Sequence, residues 1–90
     1  EGDLHINQLI DNTNGLSRAD MLNYQLEKFN QVMQANLKRK GQKIVFIHGK
    51  GEGVLRAEIE KLLKKKYYKC TYQDASFQQY GFGATQVTIH

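Results

Sequence analysis

Residues 43–56, KIVFIHGKGEGVLR, join an apolar run to a helical pattern through a short turn that holds three glycines. The run Lys43–Ile47 is rich in β-branched and aromatic residues, which is typical of a central strand covered on both faces. Apolar residues then recur at helical spacing from about Gly53 to Lys66. The segment therefore predicts a strand, a turn and a helix, and it favours an α/β fold.

A second helix is predicted upstream of this unit. Ser17 and Asp20 form a variant of the capping box, which marks a helix start. Apolar residues recur every three or four positions from Leu22 to Leu37, and Gly41 is a suitable terminator. The pattern predicts a helix over residues 18–40.

Three further strands are predicted around the two helices. A short one is expected at Asp3–Ile6, with an irregular connection after it, and alternating apolar residues indicate the others near 68–72 and 85–89. The element order is βαβαββ. A right-handed crossover makes the first two strands parallel, and the last two can close as a hairpin. We expect a two-layer α/β sandwich with a mixed four-stranded sheet and two helices.

Length and charge limit the classes of function. Ninety residues make one domain, residues 1–90, and the start at Glu1 suggests a piece of a longer protein. No apolar run is long enough for a membrane helix and Cys70 is alone, so a cytoplasmic module with no membrane partner is expected. The net charge of +4 favours a polyanion such as nucleic acid. The basic runs 38–40 and 64–66 nevertheless also fit an ordinary role in complementing helix dipoles, which we favour for them.

The glycine turn predicts a phosphate site. Ligands of open α/β sheets bind beyond the carboxyl ends of strands, where a helix N-terminus offers N–H groups to anions. Gly49, Gly51 and Gly53 permit positive φ and close approach of the backbone, and Lys50 and Arg56 add positive charge. Neither GxxxxGK[ST] nor GxGxxG is present, so a nucleotide-cofactor enzyme is not expected. A tight connection without a ligand is the alternative.

Two histidines are candidates for acid–base chemistry. If the first two strands are parallel neighbours, His5 and His48 lie near their carboxyl ends, within reach of one phosphate. Asp3 shares a strand face with His5 and could orient its ring. Either histidine could act as general base or acid, or a divalent metal, Mg²⁺ or Mn²⁺, could use Asp3, Glu52 or the histidines. Purely structural histidines are the alternative.

A second segment, SFQQYGFGAT at residues 76–85, combines aromatic residues with glycines. Tyr80 or Phe82 could stack on an unpaired base, while Gly81 and Gly83 let the chain pass close to a nucleic-acid backbone. Phe77 is expected in the core. Aromatic residues that only cover the end of the sheet are the alternative, because a small domain needs its large apolar groups.

Three segments together resemble one known family. They are DLH at 3–5, HGKGEGVLR at 48–56 and GFGATQVTI at 81–89. They are similar to the Smr domain, the small MutS-related module found at the end of some MutS-like proteins and as a free-standing protein. The resemblance covers essentially the whole chain, and the middle motif is its specific part. It implies a βαβαββ sandwich, nucleic-acid binding and, in some members, endonuclease or nicking activity.

The resemblance also assigns roles to residues. Asp3 and His5 match the family's LDxH signature, and residues 48–51 match its HGxG signature, so Asp3, His5 and His48 are the catalytic candidates. Ile6 stands where the family commonly has glycine, so we expect binding to transfer more readily than cleavage. The resulting hypothesis is a module that binds DNA or RNA, with endonuclease activity left open. A non-catalytic interaction or targeting domain of a larger parent protein is the alternative.

Overall fold

A mixed four-stranded sheet organises the chain, and the computed structural model describes residues 2–90. Its strands are β1 (Gly2–Asp3), β2 (Lys43–Ile47), β3 (Thr71–Asp74) and β4 (Ala84–Thr88), in the spatial order β1-β2-β4-β3. β1 runs parallel to β2, whereas β4 is antiparallel to both β2 and β3. The mixed sheet, its parallel first pair and its closing antiparallel pair are therefore as predicted.

Two long helices and two single-turn helices complete the fold. They are α1 (Ile6–Leu9), α2 (Arg18–Asn36), α3 (Val54–Lys65) and α4 (Phe77–Tyr80). The predicted capping box starts α2: the Asp20 N–H donates to the Ser17 hydroxyl at 3.0 Å, and the Ser17 N–H donates to the Asp20 carboxylate at 3.1 Å. The α/β class predicted from the sequence is confirmed. Among residues 2–90, every helix is too short or too polar to cross a bilayer.

The core is formed by α2, α3 and alternate residues of the sheet. Phe29 of α2 packs on Phe46 of β2 with ring centroids 4.7 Å apart, and burial of each such ring contributes about 1.5–3 kcal/mol. Ile44 and Phe46 are buried, but Val45 and Ile47, which alternate with them along β2, are only partly covered. The expectation that both faces of β2 are covered is therefore wrong, because the core contacts all lie on one face.

The N-terminal segment is attached to the sheet by a short strand. The first predicted strand is present, but its predicted bounds, Asp3–Ile6, are wrong, since β1 ends at Asp3 and α1 begins at Ile6. The Leu4 N–H donates to the Ile47 carbonyl at 2.8 Å, and the Leu4 side chain is fully buried. The chain turns directly after it because the Asp3 carboxylate accepts the His5 N–H at 2.9 Å.

Several other boundaries differ from the prediction. Helix α2 ends at Asn36 rather than at residue 40, and residues 37–40 form turns before Gly41, whose φ is +86°. The strand predicted near 68–72 is wrong in position: β3 begins at Thr71, and Tyr68 lies in a turn with 71% of its surface exposed. Helix α3 and strand β4 each lie within one residue of the predicted ends.

Candidate functional site

The glycine turn after β2 lies against the segment that precedes β4. The Gly83 carbonyl accepts the N–H groups of both His48 and Gly49, each at 2.9 Å. A Cβ at Gly83 would be 3.2 Å from the Gly49 Cα, so a larger residue at 83 would push the two backbones a few tenths of an ångström apart. The HGKG and GFG motifs are thus held together, and the Gly49 N–H is not available to a ligand.

The rest of the turn leads into an uncapped helix. Gly49, Gly51 and Gly53 all have positive φ, and Gly53 is the N-cap residue of α3 at φ +82°. No side chain caps this end among the described residues, so the N–H groups of the first helical turn are left to solvent or a ligand. An anion at this turn would therefore meet the N-terminus of α3 rather than the Gly49 N–H.

His5 connects the DLH segment to the same turn. Its ring Nδ1 lies 2.8 Å from the Asp3 Oδ1, and its Nε2 lies 3.0 Å from the place a Cβ would occupy at Gly49. Because a carboxylate accepts hydrogen bonds, Asp3 fixes the proton on Nδ1 of the neutral ring and leaves Nε2 as a free base. The expected pairing of Asp3 with His5 is present, although His5 follows β1 rather than belonging to it.

His48 is buried and both of its ring nitrogens are occupied. Its Nδ1 lies 2.8 Å from the Gly49 carbonyl oxygen and its Nε2 lies 2.9 Å from the hydroxyl of buried Thr85. The carbonyl can only accept, so Nδ1 donates and Nε2 accepts from the hydroxyl. Burial is the largest cause that lowers the pKa of His48, which favours this neutral form. These contacts fix the shape of the turn and leave no ring nitrogen free for the catalytic role predicted for His48.

An exposed aromatic pair lies beside the turn. Phe77 and Phe82 are 62% and 57% exposed, and their ring centroids are 4.7 Å apart. The Lys50 ammonium lies 5.5 Å from the Phe82 ring centroid. The expectation that Phe77 belongs to the core is wrong, because the single-turn helix α4 leaves its side chain packed on Phe82. We name Lys50, Phe77 and Phe82 the aromatic surface.

The other predicted contact residues are placed less favourably. Arg56 donates to the Glu60 carboxylate at 3.3 Å and also pairs with Asp74 of β3, so two carboxylates compete with any phosphate for it. Tyr80 is half-buried, and Gly81 ends α4 with a φ of +64°. Both residues lie beside the GFG segment, and their role in binding a ligand stays a prediction.

The residues proposed as metal ligands do not form a cluster. Within residues 2–90, no group of three or more His, Cys, Asp or Glu side chains could hold one ion. Asp3 already accepts two hydrogen bonds from His5, and Glu52 is exposed in the glycine turn. The side chains of residues 2–90 therefore do not form a preformed protein cage for Mg²⁺ or Mn²⁺.

Comparison with known protein families identifies the family of this chain. The family model described as the Smr domain matches residues 18–90. This range includes the glycine turn and the GFG segment but begins after Asp3 and His5. No curated protein matches the chain significantly.

Proposed function

The chain belongs to the Smr domain family, and from this premise we propose that it is a nucleic-acid-binding module that uses the aromatic surface. Members of the family are generally nucleic-acid-binding or nicking modules. In this chain, Phe82 and Phe77 would stack on unpaired bases, while Lys50 would contact a neighbouring phosphate. The glycine turn beside them lets a backbone phosphate approach the N-terminus of α3.

The observation that carries this proposal is the exposure of two phenyl rings next to a cation. A domain of 90 residues has few large apolar side chains to spare from its core, so two adjacent exposed rings call for a partner. Base stacking on an aromatic side chain is worth about 1–3 kcal/mol per base and accepts every base. The Lys50 ammonium near the Phe82 ring adds a positive charge that attracts the phosphates of a nucleic acid. A neutral apolar partner would gain nothing from this charge.

Binding is tested with a fluorescent single-stranded oligonucleotide of about 12 nucleotides, long enough for a stacking site of typical size. Phe82→Ala should weaken binding roughly 5- to 150-fold, the equivalent of the stacking energy of one base. Lys50→Gln should weaken it and lower its salt dependence. Tyr24→Ala removes another exposed ring, on α2, and is the matched control that should bind as the wild type does.

Two results contradict the proposal. If Phe82→Ala, Phe77→Ala and Lys50→Gln all bind as the wild type does, the aromatic surface is not the contact. If the wild-type domain binds neither DNA nor RNA at low salt, the rings serve a protein partner and the chain is an interaction or targeting module.

A second candidate function, phosphodiester cleavage, is favoured by the Asp3–His5 pair. With Nδ1 held by Asp3, the His5 Nε2 can accept a proton from the attacking hydroxyl of water or of a ribose. The new phosphorus–oxygen bond forms as the ester bond breaks, and the leaving oxygen takes a proton from solvent. Lys50 would offset the charge that develops on the phosphoryl oxygens.

Cleavage is tested on supercoiled plasmid and on structured RNA, with Mg²⁺, with Mn²⁺ and with EDTA. General-base catalysis is worth about 10²- to 10⁴-fold, so His5→Gln should reduce turnover by that factor and leave binding within a few-fold. Asp3→Asn should reduce turnover because the amide can hold the ring in the wrong tautomer. The cleavage role is refuted if His5→Gln cleaves at the wild-type rate, or if the wild type cleaves neither substrate. Either result leaves the binding proposal intact.

A further inference from the structure

The positive charge of the chain is concentrated away from the candidate site. Eight of the 13 Lys and Arg residues lie in two short segments, 38–43 and 64–69, and neither segment contains Asp or Glu. The rest of the chain has five basic and nine acidic residues, a net charge of −4. The overall charge of +4 therefore comes entirely from these two segments.

The fold brings the two segments together at one end of the domain, which we name the basic end. Lys43 begins β2, and Lys64 and Lys65 form the last turn of α3, whereas the glycine turn follows β2 and precedes α3. Helix α3 has 12 residues, so its last turn lies about 18 Å from the glycine turn. The basic end and the candidate site thus occupy opposite ends of the same elements.

Ordinary structural roles account for only some of these cations. Lys64 and Lys65 lie in the last turn of α3, where they complement its dipole as predicted. The Lys40 ammonium donates to the His90 carbonyl at 2.7 Å. Helix α2 ends at Asn36 and has no basic residue in its last turn, so the run 38–40 does not complement its dipole as the sequence suggested. In residues 2–90, every ion pair involves His5, Arg56 or Lys61, and none involves a cation of the basic end. All eight of its basic side chains are exposed. Among residues 2–90, no ion pair therefore offsets their mutual repulsion.

The basic end also has a shaped surface. A cavity of about 370 Å³ is lined by Lys40 from the first segment and by Lys66 and Lys69 from the second. Tyr68 lines the same cavity and is the most exposed of the large apolar side chains, at 71%. Lysines from two distant parts of the sequence therefore surround one concavity with an exposed ring at its rim.

We propose that the basic end is a second contact for the phosphate backbone of the nucleic acid, separate from the aromatic surface. Phosphates follow one another about every 3.4 Å along each strand of a duplex, so about five steps span the 18 Å between the two ends of α3. A duplex that continues into an unpaired stretch can therefore reach both surfaces, with its phosphates at the basic end and its unpaired bases at the aromatic surface. This inference rests on the proposed function, since it takes the same class of partner.

The test compares two double variants of equal net charge on a duplex of about 20 base pairs. Lys66→Gln/Lys69→Gln removes two cations of the basic end, and Lys28→Gln/Lys61→Gln removes two exposed cations elsewhere. Losing two phosphate contacts lowers the slope of log K against log salt by about 1.8, so the loss of affinity should be about 12-fold larger at about 50 mM than at about 200 mM salt. The control pair should show less than half of that change in slope, and Lys64→Gln/Lys65→Gln should behave like the first pair.

The outcomes separate this inference from the proposed function. Weaker duplex binding by Lys66→Gln/Lys69→Gln supports the basic end, whereas normal binding of the single-stranded oligonucleotide by Phe82→Ala, Phe77→Ala and Lys50→Gln refutes the aromatic surface. If Lys66→Gln/Lys69→Gln and Lys28→Gln/Lys61→Gln have equal slopes of log K against log salt, the role of the basic end is refuted and the proposed function is unaffected. Wild-type protein that sediments with phosphatidylserine vesicles at physiological salt but binds neither the duplex nor the single-stranded oligonucleotide overturns both, because the basic end then serves a membrane surface.

Discussion

Gly49→Ala should separate the contact of the glycine turn with His5 from the role of the turn in folding. Gly49 has a φ of +75°, where an alanine costs about 1 kcal/mol, so the melting temperature should fall by about 4–8 °C for a domain of this size. The new Cβ would also lie 3.0 Å from the His5 Nε2. The His5 side chain is 52% exposed, so its ring can rotate away at little further cost in stability.

Gly51→Ala is the matched control for this prediction. Gly51 also has positive φ, at +44°, but a Cβ there has no neighbour within 4 Å. The two variants should lose a similar free energy of unfolding in urea, about 1 kcal/mol each. Only Gly49→Ala should break the 2.8 Å contact between the His5 Nδ1 and Asp3 and shift the NMR signals of the His5 ring.

The signals of the ring decide the result. If Gly51→Ala shifts them as far as Gly49→Ala does, or if Gly49→Ala leaves them unchanged in a folded protein, His5 does not rest on the turn. The arrangement of Asp3, His5 and the glycine turn described above would then be refuted, and with it the cleavage role.

Three further predictions concern neighbouring residues. Gly83→Ala should cost about 1–3 kcal/mol, more than Gly51→Ala, because its Cβ meets the Gly49 backbone at 3.2 Å; equal losses in urea unfolding would contradict the close packing. Burial keeps the pKa of His48 in the folded state below its ordinary value of 6.5. As the pH falls through 6.5, the unfolded chain therefore binds a proton at His48 before the folded chain does, and the free energy of unfolding decreases. This decrease is at most about 1.4 kcal/mol per pH unit, and it should be absent from the free energy of unfolding of His48→Gln, measured with urea between about pH 7.5 and pH 5.5. If the free energy of unfolding of His48→Gln depends on pH as that of the wild type does, His48 is not held neutral. Arg56→Ala should cost less than about 1 kcal/mol, because its ion pairs are partly exposed, and should leave oligonucleotide binding within about two-fold; a ten-fold loss would restore Arg56 as a phosphate contact.

Local patterns in the sequence predicted the parts of the fold that depend on local interactions. The capping box at Ser17 lies within four residues, and the apolar spacing of α3 fixes which of its faces is buried, so both could be predicted correctly. The position of β3 could not, because Tyr68 and Tyr72 fit the same alternation and only the pairing of Thr71 with Thr88 decides where the strand begins.

The site was harder to predict because its contacts join distant residues. His48 resembled a catalytic residue, but its partner Thr85 is 37 positions away, and the hydrogen bond with that partner occupies the ring Nε2. Phe77 was expected in the core because large apolar residues usually lie there, and the one-turn helix that exposes it has no periodic signal. The nearby GFG segment was the only available indication that Phe77 lies at the site.

The shortness of β1 has a consequence for dynamics. Within residues 2–90, two residues of β1 pair with β2. Beyond them the segment is held by the buried Leu4 side chain, by the Leu4 N–H, which donates to the Ile47 carbonyl at 2.8 Å, and by the Gln25 side chain, which donates to the Leu4 carbonyl at 2.9 Å. Exposing a leucine costs about 1.5–3 kcal/mol, so this segment can open locally far more often than the domain unfolds. His5 is therefore present at the glycine turn for only the closed fraction of the population. A ligand that contacts both would raise that fraction, and amide exchange at Leu4 would slow as the ligand binds.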